Sequence, residues 1–154
     1  MFQRVGSRRI SSWRKKGKLV INMSMDRVSN MLSALKNASM AKKGVIEMVH
    51  TKECESIAKV LKGGGFLSEV KTFKPTGKTF KMLRLGLEAD GEEFKITNIK
   101  RVSKPGLRVY KKSSELHAIS GGDGVVVVST SRGVFDGREA KKKKLGGEVI
   151  CEVF

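Results

Sequence analysis

Four consecutive valines, Val125 to Val128, follow Gly121-Gly122-Asp123-Gly124 and run straight into Ser129-Thr130-Ser131-Arg132-Gly133. β-Branched side chains are stiff against a helix turn but pack well on a pleated strand. A short unbroken apolar run bounded by turn residues therefore reads as a buried strand with a polar loop at its end, and any fold for this chain has to enclose it. With 154 residues, 39% of them hydrophobic, the chain suits one compact domain or two small lobes sharing an interface.

Upstream, Asp26 is placed to cap a helix over residues 27 to 38, whose Val28, Met31, Leu32 and Leu35 recur at helical spacing. Val45 to His50 reads as a strand. Thr51 can cap a second helix with Cys54, Ile57, Ala58 and Leu61 on one face, stopped by Gly63, Gly64 and Gly65. Phe66 to Phe73 and Phe80 to Glu88 read as a hairpin through Lys74-Pro75-Thr76-Gly77, and the first lobe closes near Ala89-Asp90-Gly91. A connecting strand is expected over 94–103, before Lys104-Pro105-Gly106. Asp136 is placed to cap a short helix through Arg138, Glu139 and Ala140, Gly146-Gly147 to end it, and Glu148 to Phe154 to form a last strand.

The fold class is thus α+β in two small lobes. The N-terminal one is helix-strand-helix-strand-strand, and the C-terminal one is mostly antiparallel strands with a short helix. The boundaries are a basic extension over 1–23, an α/β lobe over 24–91 and a β-rich lobe over 92–154.

Charge decides the partner. The chain has 32 Lys+Arg against 15 Asp+Glu, a formal charge of +17. A field that strong seeks a polyanion, and no apolar run approaches the roughly 18 residues a membrane span needs, so nucleic acid leads and no membrane or small-molecule substrate is expected. Between Glu93 and Glu115 stand Lys95, Lys100, Arg101, Lys104, Arg108, Lys111 and Lys112, with Tyr110 and no acid among them. Such a run is usually a solvated face, but Pro-Gly and Tyr inside it suit phosphates and a stacking ring. The hydroxyls of Ser129, Thr130 and Ser131 offer two readings: contact with bases or sugars, or a turn that satisfies its own backbone. Lys141 to Lys144 add diffuse phosphate attraction.

Enzymatic patterns fail one by one. Pro75-Thr76-Gly77-Lys78-Thr79 ends like a phosphate-binding loop, yet Thr72 stands where the first glycine belongs and the segment sits in a hairpin. Ser12, Ser39 and Ser56 each precede a lysine by three positions without the other parts of a Ser/Lys acyl-transfer site. His50 and His117 have no carboxylate or thiol at metal or triad spacing, and Cys54 and Cys151 read as buried apolar groups. No catalytic residue, metal or cofactor is expected.

Residues 1 to 25 carry Arg4, Arg8, Arg9, Arg14, Lys15, Lys16 and Lys18 with Ser7, Ser11 and Ser12, and no acid precedes Asp26. That composition is typical of organelle transit peptides, although a retained basic arm lying on RNA is the preferred reading.

The stretch Val126-Val-Val-Ser-Thr-Ser-Arg-Gly-Val-Phe, through Asp136-Gly-Arg-Glu-Ala-Lys to Leu145-Gly-Gly-Glu-Val-Ile-Cys-Glu-Val-Phe154, resembles the C-terminus of the small-subunit ribosomal protein eight family, bacterial type. Arg101-Val-Ser-Lys-Pro-Gly-Leu-Arg-Val-Tyr110 is similar to its second hallmark, and Asp26 to Ala38 to its opening helix. The resemblance, over residues 24 to 154, implies a non-catalytic structural protein that binds a central-domain helix of the small-subunit rRNA, beside neighbouring small-subunit proteins. It implies RNA contact at Ser129, Thr130, Ser131, Arg132 and Gly133, with Lys100, Arg101, Lys104, Pro105, Gly106, Arg108, Tyr110 and Glu148 alongside. A presequence-like N-terminus joined to bacterial motifs favours a mitochondrial ribosome, with plastid or bacterial cytoplasm as alternatives. The competing reading is a free RNA-binding or regulatory protein.

Overall fold

The computed structural model describes residues 14–15, 18–21, 27–117 and 123–154. Helix α1 (Arg27–Met40) buries Val28, Met31, Leu32 and Leu35 and runs two residues past the expected end; its expected cap, Asp26, lies outside the described residues. Strand β3 (Val45–Val49) turns Ile46 and Met48 inward. Helix α2 (Lys52–Gly63) starts where the sequence places it, because Thr51 stays extended and its Oγ1 accepts the Cys54 N–H at 3.1 Å. Glu53 and Glu55 in the first turn and Lys62 in the last complement the helix dipole. Gly65, at φ +84°, then takes a turn that a side chain resists.

Strands β4 (Leu67–Phe73) and β5 (Met82–Leu87) form the expected antiparallel hairpin, with β5 inserted between β3 and β4. The backbones of β1 (Arg14–Lys15) and β2 (Lys18–Ile21) extend this sheet on the far side of β3, β2 running parallel to it. These are the described parts of the expected N-terminal arm. A small hairpin, β6 (Ala89–Asp90) with β7 (Glu93–Phe94), occupies the expected break between lobes.

The connecting strand expected over 94–103 contracts to β8 (Ile99–Arg101). Thr97 and Asn98 both donate their backbone N–H to the Phe154 carbonyl, at 2.8 and 2.6 Å, so the ladder begins only at Ile99. A two-residue strand, β9 (Tyr110–Lys111), and a 3-10 turn (Ser113–Glu115) follow. The valines lie in β10 (Val125–Thr130), which pairs with β11 (Gly133–Asp136) on one side and β12 (Gly147–Val153) on the other. Between them, α3 (Gly137–Lys142) is capped by Asp136, whose carboxylate accepts the Arg138 N–H. The far edge of β12 is shared, with β8 against its end and β9 against its beginning.

The valine run is apolar throughout because β10 is covered on both faces. Val125 and Val127 join a core built from α1, α2 and the first sheet, including Met31, Leu35, Ile57, Leu61, Leu83 and Leu85. Val126 and Val128 face a second cluster with Leu116, Ala140 and Val149. Alternate side chains of a strand point to opposite faces, and fully burying each valine contributes on the order of 1.5 kcal/mol or more. Since α1 and α2 contact both sheets, a single core runs through the two lobes.

Candidate nucleic-acid interface

The hydroxyls of the β10–β11 turn differ in their surroundings. Thr130 Oγ1 donates to the Gly133 carbonyl at 2.8 Å and accepts the Arg132 N–H at 3.2 Å, so this hydroxyl is committed to the turn. Ser131 and Arg132 are exposed at the tip. Gly133, at φ +126°, adopts a backbone that side chains resist. The turn is fastened by Thr130 and presents Ser131 outward.

Ser129 sits one rung below, opposite Glu148 on β12, and Glu148 is opposite Tyr110 on β9. Directly opposed residues on a sheet point to the same face, so a serine, a carboxylate and a ring form one row. Tyr110 is 69% exposed. Arg108 Nη1 donates to Glu148 Oε1 at 2.9 Å, and this bond, followed by the attraction of the carboxylate, raises the guanidinium pKa further. The carboxylate in this otherwise basic segment is thereby paired and orients the Arg108 guanidinium.

Two glycines allow that row to close. A Cβ on Gly147 would lie 2.1 Å from the Ser129 carbonyl oxygen, and one on Gly146 would lie 2.8 Å from the Lys111 carbonyl oxygen. The sequence assigns Gly146-Gly147 to ending α3, but that helix ends at Lys142. The pair lets β12 pass between β10 and the Lys111–Ser113 backbone.

The second turn of the site, Lys104-Pro105-Gly106-Leu107, is closed by reciprocal backbone hydrogen bonds of 2.9 Å between Lys104 and Leu107. Ser103, fully buried, holds it from below: its Oγ accepts the Val109 N–H at 3.0 Å and lies 3.3 Å from the Val109 carbonyl it donates to. Ser103 is not legible in the sequence, because a lone serine in a basic run carries no signal of burial. Arg101 Nε donates to the Ser103 carbonyl, which spends Arg101 on the same turn. Pro105, Arg108 and Arg101 then line a groove of about 400 Å³ with Arg27, Val28, Thr51 and Glu53 at the starts of α1 and α2.

The basic run from Lys95 to Lys112 does not form one surface. Lys95 lines a cavity with Gly64, Asp90, Asp123 and Phe154 at the end of β12 away from Gly147. Lys100 pairs in register with Glu152 and points to the face of β8 away from Ile99 and the α1 side. Ser129, Ser131, Arg132, Gly133, Lys104, Pro105, Gly106, Arg108, Tyr110 and Glu148 share one pole, and Lys100 is set apart from them. Lys141 to Lys144 are exposed along and beyond α3.

His50 and Cys151 are held within the fold. His50 Nε2 and Glu55 Oε2 lie 2.7 Å apart, a partner invisible to a search for triad or metal spacing. The hydrogen bond to His50, then that to Lys59, holds the Glu55 carboxyl below its usual range. Cys151 is buried, and desolvation pushes its thiol up to about 12, so it stays an uncharged apolar group.

A basic α+β protein with this row and these two turns is of a build suited to binding nucleic acid, a class that comparison with known proteins makes specific. The family model for ribosomal protein S8 matches residues 26–154, and the chain belongs to that family. Similar proteins include small ribosomal subunit protein uS8c of Spirogyra maxima, 39% identical over 131 residues that cover 85% of this chain and 99% of that protein. The uS8c of Thalassiosira pseudonana is 39% identical over 132 residues, covering 86% and 100%, and that of Cycas taitungensis 34% over 131 residues, covering 85% and 99%.

The names of these relatives bear on the compartment. They carry the name uS8c, the plastid form, which agrees with the plastid alternative and gives no support to the mitochondrion. An acid-free Arg/Ser-rich N-terminus is common to the transit peptides of both organelles, so that feature cannot separate them.

Proposed function

We propose that this protein is a constituent of the small subunit of a plastid ribosome and binds a helix of the central domain of its small-subunit rRNA, supporting assembly and translation. The row Ser129–Glu148–Tyr110, with Arg108 fastened to its middle member, carries this reading. Ser131 and Arg132 reach the minor-groove edges and 2′-hydroxyls of the helix, Tyr110 takes an unpaired base, and Arg108 and Lys104 take phosphates. Gly106 and Gly133 keep the two turns free of side-chain bulk, and Pro105 and Arg101 hold the second turn in shape. The lobe over 92–154 carries this interface, and the lobe over 24–91 supports it from beneath.

The test measures affinity of the full chain for a transcript of the central domain of plastid small-subunit rRNA, together with sedimentation of the native protein from isolated plastids. Nanomolar binding at physiological salt and migration with small subunits are expected. Presence only in light gradient fractions would show a free RNA-binding protein instead.

A further inference from the structure

The β4–β5 hairpin is unused by the surface just described, although its tip is the very segment that imitates a phosphate-binding loop in sequence. Between Glu69 and Glu88 the chain carries Lys71, Lys74, Lys78, Lys81 and Arg84 without one acid. Glu69 engages Lys71 at 2.8 Å and Arg84 at 3.9 Å. Lys74, Lys78 and Lys81 have no carboxylate partner among the described residues.

The rings make this more than a solvated basic turn. Phe73 is 36% and Phe80 39% exposed, and Lys78 Nζ lies 5.2 Å from the Phe80 ring centroid. Large hydrophobic side chains left exposed among the described residues are Met40, Phe73, Phe80, Leu107 and Tyr110. All but Met40 lie on this hairpin or on the turn and strand of the proposed interface. The tip is also shaped: the Lys78 N–H donates to the Pro75 carbonyl at 3.2 Å, and Gly77 sits at φ +79°.

The hairpin springs from the same pole. The His50 N–H donates to the Lys81 carbonyl at 3.0 Å, and the next residue, Thr51, lines the groove with Pro105 and Arg108. Rings interspersed with lysines that lack a carboxylate partner fit a strand whose base faces are open, the rings taking bases and the ammonium groups phosphates. A base-paired helix hides those faces, and an acidic protein would use the lysines without needing the rings.

We propose that Phe73, Phe80, Lys74, Lys78 and Lys81 form a second RNA site, which takes an unpaired stretch of RNA beside the helix held by the C-terminal lobe. It rests on the reading of that pole as an RNA surface but uses none of its residues.

The test uses the full chain and a fluorescent single-stranded 15-nucleotide oligo(A) in binding titrations, with circular dichroism to confirm folding. Phe73→Ala/Phe80→Ala is expected to weaken binding at least fivefold, the lower end of what one base–aromatic stack supplies. Lys36→Ala, which removes one charge from α1, is expected to change it less than twofold. Unchanged oligo(A) affinity in the folded double variant overturns the second site, as does equally strong competition by poly-glutamate, which would mark an acidic protein surface. The central-domain transcript is titrated in parallel with Ser131→Ala: unchanged oligo(A) affinity in the double Phe variant, with transcript binding weakened by Ser131→Ala, overturns only the hairpin site, whereas weakened oligo(A) binding with transcript affinity unchanged by Ser131→Ala overturns only the primary interface.

Discussion

The two turns at the working pole are fastened by one hydroxyl each, in opposite ways. Thr130 binds its own turn from the surface, whereas Ser103 holds the Lys104–Leu107 turn from a fully buried position. The difference is one of solvent access. When the Thr130 hydroxyl is lost, water can replace it, but nothing replaces Ser103 beneath a closed turn, so the buried fastening carries more stability for the same chemistry.

That comparison can be broken or sharpened by substitution, and the largest effect lies where the two regions meet. Gly147→Ala sets a methyl group against the Ser129 carbonyl, and parting β10 from β12 is expected to cost about 3 kcal/mol in urea unfolding. A loss under about 1 kcal/mol would show that the strands have slack. Ser103→Ala is expected to cost about 1–3 kcal/mol by leaving the Val109 N–H unpaired, and to speed hydrogen exchange at Val109. Thr130→Val should cost less, about 1 kcal/mol. If the two variants change the unfolding midpoint equally, the contrast between buried and exposed fastenings is wrong.

Ser131→Ala removes a hydroxyl that the fold does not use. Its stability should stay within about 0.5 kcal/mol of the parent, while affinity for the rRNA transcript falls by about 1 kcal/mol, roughly fivefold. Smallest of all is the effect of acid on the brace. Because the Glu55 carboxyl is held below its usual range in the folded chain, its contribution is present above the unfolded-state pKa and fades as pH falls through the folded value. Glu55→Gln should therefore lose less stability than the parent between pH 6 and pH 4, and an identical loss would remove the His50–Glu55 pair from the account.

Much of the fold is legible in the residues. Thr51, the α2 stripe and the Pro75–Gly77 turn are local signals, each with a mechanism that does not depend on the rest of the chain. Strands β9 and β11 are not legible, because two to four residues show no period and the pairing of Tyr110 with Glu148 spans a separation that local patterns do not encode. The site is legible in part for the same reason. Ser131, Tyr110 and Arg108 belong to motifs, but the buried hydroxyl of Ser103 and the close approach at Gly147 exist only once the strands meet. The acid-free run misleads in the other direction, since nearness in sequence places Lys95 and Lys100 with Arg108, and strand β8 with the Lys104–Leu107 turn after it then separates them.

Everything turns on whether RNA meets a pole or a basic stripe. The most direct measurement compares Arg108→Ala with Lys100→Ala in binding to the central-domain rRNA transcript over a range of salt. Arg108→Ala should weaken binding at least tenfold, having lost a phosphate contact and left Glu148 uncompensated, whereas Lys100→Ala should change it less than threefold; equal losses would contradict the account.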